Sequence, residues 1–445
     1  MMSQATKEKS FYEAAFGEFS ARARRDEQPW VTRLRERAFE RFEEQGFPTT
    51  DEEDWKYTNV APIARAKFQL ASNGAGGASS AETIEGFVAA ESRRSRLVFV
   101  NGVLRAELSS LEAVAAGVVV SDLSAALSGE HAETVRQNIG RLHEGEADSF
   151  AALNTAFLGG AFLYVPEGVT VEAPVQLLFL SDASGAESVV FPRVLVVAGR
   201  DSRLDIIESY AAAGGGAYFT DAVVEVFVGE GACVSHYKVQ DEGESAFHVA
   251  STRAEVGRAA AYELMTVTLG ARLSRHGIEV RLGGEGAECR VDGLYLVGTG
   301  QHADTHSLID HRKAHCTSRQ NYKGILDGKS RAVFNGRVFV HRDAQQTDAE
   351  QSNKNLLLSP EARVDTKPQL EILADDVKCA HGATVGQLEE EELFYLISRG
   401  LHPDLARNLL TYGFAEEIVE KIKFDSIRAQ LDEAILNRLH ARLEV

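Results

Sequence analysis

Cysteine, methionine and tryptophan are scarce, with four, three and two residues in a chain of 445. The cysteines, Cys233, Cys289, Cys316 and Cys379, stand far apart and form no CxxC pair. That spacing argues against a zinc site or a disulfide framework built from them alone. No stretch approaches the ~18 apolar residues that crossing a bilayer requires, and the first twenty residues are polar and charged rather than the apolar core of a secretory signal. Positive charge is also in deficit: 47 Lys and Arg against 66 Asp and Glu leave a net charge of −19. The field of the whole molecule therefore repels nucleic acid and anionic membrane. Together these deficits predict a cytoplasmic chain with reduced thiols and an acidic, solvated surface, partnered by neither nucleic acid nor membrane.

What is present suffices for a large core, since 44% of residues are hydrophobic and 25% charged. Four regions are predicted. Residues 1–72 read as helical: Phe11, Ala15, Phe16 and Phe19 fall at helical spacing, as do Leu34, Ala38, Phe39 and Phe42, and Gly46 followed by Pro48 is a stop signal. Residues 73–160 open with a small-residue linker at 73–80, then mix α and β. A strand is expected at Leu97 to Val100, turning at Asn101-Gly102, and a helix around Phe150 to Phe157. Residues 161–386 are almost entirely β, as short β-branched runs separated by glycine-containing turns. Residues 387–445 return to helix. Glu389 to Glu392 suit a helix N-terminus, Gly400 and Pro403 punctuate, and Ile418, Ile422, Ile427, Leu431 and Ile435 mark one long amphipathic helix expected to pack on its own domain.

Within the β region, runs of turn, small residue and alternating apolar and polar residues recur. They begin at Gly199, Gly229 and Gly284, with a weaker fourth from Ser359 to Asp365. A degenerate repeat over some two hundred residues, without long helices between strands, favours a β-solenoid over a sandwich.

Three groups of residues invite a chemical reading. Gly324-Ile325-Leu326-Asp327-Gly328-Lys329-Ser330 imitates a phosphate-binding loop, but only three residues separate its glycines where four are needed. Ala332-Val333-Phe334 after it reads as strand rather than helix, so ATP hydrolysis by this chain is rejected. His302, Asp304, His306, Asp310, His311, His315 and Cys316 are dense in metal-ligand types, yet the two-residue spacing of the first three puts them on one side of a strand, most simply its solvated outer face. Cys379 and His381 are also two apart. On a strand running from Val377 to Thr384 the thiol and imidazole share a face, as ligands for iron or zinc or as a buried cysteine beside a hydrogen-bonded histidine.

The residues around that pair carry a resemblance. Phe334-Asn335-Gly336-Arg337-Val338-Phe339-Val340, the run Gln351-Ser352-Asn353-Lys354-Asn355-Leu356-Leu357-Leu358-Ser359, the run Val364-Asp365-Thr366-Lys367-Pro368-Gln369-Leu370-Glu371-Ile372, and the stretches 375–386 and 394–400 closely resemble the C-terminal core of the SufB/SufD family of iron–sulfur cluster assembly proteins. The likeness is dense over 291–401 and thins toward the N-terminus, where Asp54-Trp55-Lys56-Tyr57-Thr58 is a lesser match. Lys378-Cys379-Ala380-His381-Gly382 is similar to the SufD branch, because SufB-like chains carry a His-Glu-Ala-Thr type run where this one has His381-Gly382-Ala383-Thr384.

The resemblance implies a right-handed parallel β-helix flanked by helical regions. It also implies pairing with a SufB-like chain across the β-helix ends, docking of a SufC-like ABC-type ATPase on the helices of 387–445, and a homodimer as a state of the isolated chain. Cys379 and His381 would form a partial metal site facing SufB, for transient iron or a nascent cluster. No catalytic residue and no tightly bound cofactor are implied, and nucleotide chemistry belongs to SufC. The alternative within the family is the SufB-like role of primary sulfur acceptor. A remote one is a carbohydrate-acting β-helix enzyme, whose paired carboxylates would have to be Asp375 and Asp376, adjacent residues that a strand sends to opposite faces.

Overall fold

Sixteen principal strands between Gly159 and Gly386 alternate between two parallel sheets, each new strand pairing with the one laid down a turn earlier. The result is a parallel β-solenoid of about eight turns with helices at both ends of the chain. The computed structural model describes residues 4–23, 27–71, 81–144, 148–183 and 187–440; the linker expected at 73–80 lies outside them. The solenoid's register is unbroken where the site will lie: Cys289, Ser318, Ala349 and Cys379 align across four consecutive strands of the second sheet. Alternate residues of every strand point into the lumen, where Val234, Tyr262, Val291 and Phe334 belong to one continuous apolar stack.

The corners explain the degenerate repeat. At six successive passages from the first sheet to the second, from Ala198 to Thr347, one residue is left-handed: Asp201, Gly231, Ala259, Gly286, His315 and Gln346, with φ between 51° and 68°. Its N–H donates to a carbonyl of the next turn, as from Asp201 to Glu230 at 2.8 Å and from His315 to Gln345 at 2.9 Å. A small side chain follows in five of these corners, Ser202, Ala232, Ala260, Ala287 and Cys316, each buried. The run from Ser359 to Asp365 instead turns the opposite corner, between the strands Thr347–Leu357 and Arg363–Ile372.

The helices cover the solenoid's outer faces. Gln4–Ala23 and Pro29–Gln45 pair through Phe16 stacked on Phe39 at 4.3 Å, and Gly46, at φ 68°, stops the second helix as expected. With Ser149–Ala156 they pack on Phe219, Phe247 and Val249 of the first sheet. Asn101-Gly102 makes a tight hairpin after the strand Arg96–Val100, both residues at positive φ. At the other terminus the expected single helix is two, Pro403–Val419 and Asp425–His440. The break is held on the second sheet by Phe424 against Tyr237, by Lys421 on Asp292 at 3.0 Å and by Lys423 on Asp205 at 2.6 Å. Ile418, Ile422, Ile427, Leu431 and Ile435 are nevertheless all buried against Tyr237, Met265, Leu294 and Ile325, so these helices do pack on their own domain.

Candidate functional site

The last strands of the two sheets, Arg363–Ile372 and Val377–Gly386, have a neighbour on one side only. Their residues are exposed or half-buried, Ile372 and Val385 among them at 38% and 49%, and Leu373 just beyond the first strand is 57% exposed. On this uncovered rung Cys379 sits above Ala349, and His381 above Gln351. Ala349 belongs to the lumen stack and Gln351 is 1% exposed, so the direction of the face is settled: Cys379 and His381 point inward, into the open end of the solenoid. Cys379 is half-buried against the apolar stack, and His381 is exposed. Burial pushes the Cys379 thiol above its ordinary value and Asp348 adds to this, outweighing the backbone at Ala349. The thiol is therefore no standing thiolate nucleophile.

Beneath the pair the lumen is polar. His311 Nε2 meets Ser318 Oγ at 2.9 Å, and Gln351 Nε2 donates to Gln320 Oε1 at 2.7 Å. Asn355 Nδ2 donates to Asn353 Oδ1 at 2.6 Å, and Thr366 Oγ1 donates to the same oxygen at 2.8 Å. The sequence pattern hid these residues, because polar alternation such as Gln351, Asn353, Asn355 ordinarily marks an outer face. Further in, His236 Nε2 contacts Glu208 Oε2 at 2.6 Å beside buried Lys238. Burial alone would raise the Glu208 carboxyl, but the Lys238 and His236 charges prevail and hold it at about 2.

The histidine-rich segment does not converge. His302, Asp304 and His306 do lie on the outer face, but that face is not solvated: Asp304 is 2% exposed. The segment from Asp54 to Thr58 covers it, with Thr58 Oγ1 bonded to Asp304 and 2.9 Å from His302 Nε2, and Arg275 pairs with Asp304 while stacking on Trp55 at 3.7 Å. His311 turns into the lumen, Asp310 binds His341 at 2.8 Å, and His315 and Cys316 belong to a corner. No group of three or more metal-ligand side chains that could hold an ion occurs among the described residues. Thus Cys379 and His381 offer two donors, fewer than the four of a tetrahedral iron or zinc site.

The imitation phosphate loop is also explained. Gly324 and Lys323 lie on the strand Thr317–Leu326, Lys323 Nζ donates outward to Phe414 O at 3.0 Å, and a strand follows at Arg331–Val340. Asp375 and Asp376 lie in the corner before the last strand rather than on it. A groove of about 470 Å³ runs under the N-terminal region on the outer face of the first sheet, lined by Trp55, Arg253, Arg275 and Arg337. Those arginines are engaged, Arg253 with Glu279 at 3.4 Å, Arg337 with Glu371 at 3.7 Å and Arg275 with Asp304.

Fold and terminal rung define a class: a β-solenoid with helical ends, left uncovered where its last turn presents a thiol and an imidazole. Residues 6–177 match the model of the SufBD protein N-terminal region, and residues 179–414 that of the SufBD core domain of SUF-system FeS cluster assembly. An iron–sulfur cluster assembly SufBD family protein of Synechocystis sp. is 35% identical over 397 residues, covering 87% of this chain and 86% of that one. Iron-sulfur cluster assembly protein SufD of Escherichia coli is 31% identical over 88% of this chain and 90% of its own. SufB of Bacillus subtilis is 28% identical over 70% of this chain and 67% of its own. The chain belongs to the SufBD family and is an iron–sulfur cluster assembly subunit of the SUF system. Among the described residues no helix is long and apolar enough to cross a membrane.

Proposed function

We propose that the chain is a non-enzymatic SufD-like scaffold subunit that, with a SufB-like chain opposite its open end, forms the site where iron is acquired and a nascent cluster assembled. The observation that carries this reading is the placement of Cys379 and His381 on the inward row of an uncovered final rung. Iron or a growing cluster is cargo here, and two protein donors leave coordination positions for a partner's ligands. An unpaired strand edge flanked by exposed Leu373 and Val385 suits coverage by a second solenoid, either the SufB-like chain or, in isolation, another copy. Four free cysteines agree with a cytoplasmic setting.

In the reconstituted complex, Cys379→Ala and His381→Ala are each expected to weaken iron retention by more than ~10-fold, since even an outer-shell change costs that much. Sulfur transfer to the complex should be unchanged. Persulfide found on this chain's own cysteines would favour the SufB-like role instead, and undiminished iron in both variants would remove the reading.

For a SufC-like ABC-type ATPase, the supporting feature is the helix Glu390–Ser398, which has no buried residue. Phe394 and Tyr395 are 72% and 57% exposed, with Leu405 and Leu409 also exposed on the next helix. The following helices cover the second sheet, so deleting 404–445 would uncover the core and could not isolate docking. Phe394→Asp with Tyr395→Asp is the cleaner test. Co-purification with the ATPase should be lost while stability moves by no more than about 0.5 kcal/mol, as for other exposed positions. A complex that forms normally would place docking elsewhere.

A further inference from the structure

Gln351 lies one rung below His381, on the same inward row. Its side chain ends a directed relay. Gln351 Nε2 donates to Gln320 Oε1 at 2.7 Å, and Gln320 Nε2 donates to Ser307 Oγ at 2.8 Å. With its amide nitrogen committed downward, Gln351 Oε1 is left buried and without a hydrogen-bond partner. Buried acceptors are rarely left so. Neither neighbour across the lumen supplies a side-chain donor: Gly336 has no side chain, and its register partner on the final rung is Pro368. A methyl at Gly336 would meet Gln351 Nε2 at 2.5 Å, so the glycine makes the room the amide occupies. Cys379 and Ala383 flank His381 on the inward row. The side chain next above Gln351 on this row, a strand spacing of about 4.8 Å away, is the imidazole of His381, which can donate a ring N–H.

We infer that Gln351 is a positioning residue for His381: its carbonyl oxygen accepts one ring N–H and leaves the other ring nitrogen, lone pair outward, as the donor at the open end. An imidazole is held in a single ligating tautomer by the hydrogen bond its other nitrogen makes. The inference rests on the proposed role of His381 as an iron ligand, but it can fail separately.

The test uses the full chain labelled with ¹⁵N-histidine, read above the imidazole titration range, with His381 identified among the thirteen histidines by its loss in His381→Ala. The wild-type resonances should show one protonated and one unprotonated ring nitrogen. Gln351→Met should mix the tautomers and weaken iron binding to the complex by ~10-fold. Gln351→Glu, which keeps an acceptor while Gln320 rotates its amide to donate, should restore the single tautomer. A wild-type imidazole already averaged over both tautomers overturns the inference even if the methionine variant fails to fold, as does a methionine variant with the wild-type pattern. If the tautomer responds but His381→Ala binds iron normally, the ligand role fails and the hydrogen bond stands.

Discussion

Gly324→Val is expected to destabilise the solenoid by about 3 kcal/mol, the upper end of what overpacking a filled core costs, and to lower both the thermal midpoint and the soluble yield. Gly324 pairs in register with Tyr295, and two positions earlier Gly293 pairs with Tyr322. Each glycine is a hollow for the ring beside it: a methyl on Gly324 would overlap the Tyr295 ring and lie 2.5 Å from Asn355 Oδ1, and one on Gly293 would overlap the Tyr322 ring. Both tyrosines are almost wholly buried and anchored by their hydroxyls, Tyr295 on Asn355 and Tyr322 on Thr266 at 3.0 Å. Neither ring can swing aside without breaking a bond in a place water does not reach. Gly277→Ala is the control, because its added methyl would find nothing nearer than Ala250 O at 3.8 Å; it should shift stability by less than about 0.5 kcal/mol. If the two variants unfold alike, the interlocked rings are not what fixes this part of the stack. The glycine that made the sequence imitate a phosphate loop thus serves tyrosine packing, and a nucleotide should protect neither variant.

Short β-branched runs, the Asn101-Gly102 hairpin, and the Gly46 and Gly400 stops were legible because each answers a local backbone demand. The solenoid's period was faint because the feature that recurs, every 27 to 31 residues from Asp201 to Gln346, is a left-handed corner residue. Glycine fills that place at Gly231 and Gly286, but Asp201, Ala259, His315 and Gln346 fill it elsewhere, so no single letter repeats. The shared face of Cys379 and His381 followed from a period of two. Its inward direction did not, since that depends on register with Ala349 and Gln351. The cover over His302, Asp304 and His306 comes from residues nearly 250 positions earlier, and periodicity carries no information on that scale. The terminal helix looked continuous because Ile422 keeps the apolar rhythm across a break set by tertiary contacts of Phe424, Lys421 and Lys423.

How the N-terminal cover is fastened to the solenoid leads to the second large effect. Arg193 and Glu225 lie on neighbouring strands of the first sheet, both 0% exposed, with Nη2 to Oε2 at 2.6 Å. Arg193 Nη1 also donates to Asn154 Oδ1 at 3.2 Å and Thr155 Oγ1 at 2.9 Å on the covering helix Ser149–Ala156. Glu225 in turn accepts the backbone N–H groups of Gly140 at 2.8 Å and Leu142 at 3.2 Å. One ion pair therefore joins the sheet, the helix and the loop before it. Arg193→Leu removes the cation and leaves a carboxylate in a place with no water, a change that costs about 3–5 kcal/mol. Arg193→Leu with Glu225→Gln removes both charges and should recover most of that loss, because the amide oxygen can still accept from Gly140. Denaturation midpoints of the two variants measure the difference, and hydrogen exchange locates it: protection should fall first over 149–156 and 140–142 while the strands near Cys379 hold theirs. A single variant within 1 kcal/mol of wild type, or a double variant no better than the single, would show that the cover is held by its aromatic contacts with Phe219 and Phe247 rather than by this pair.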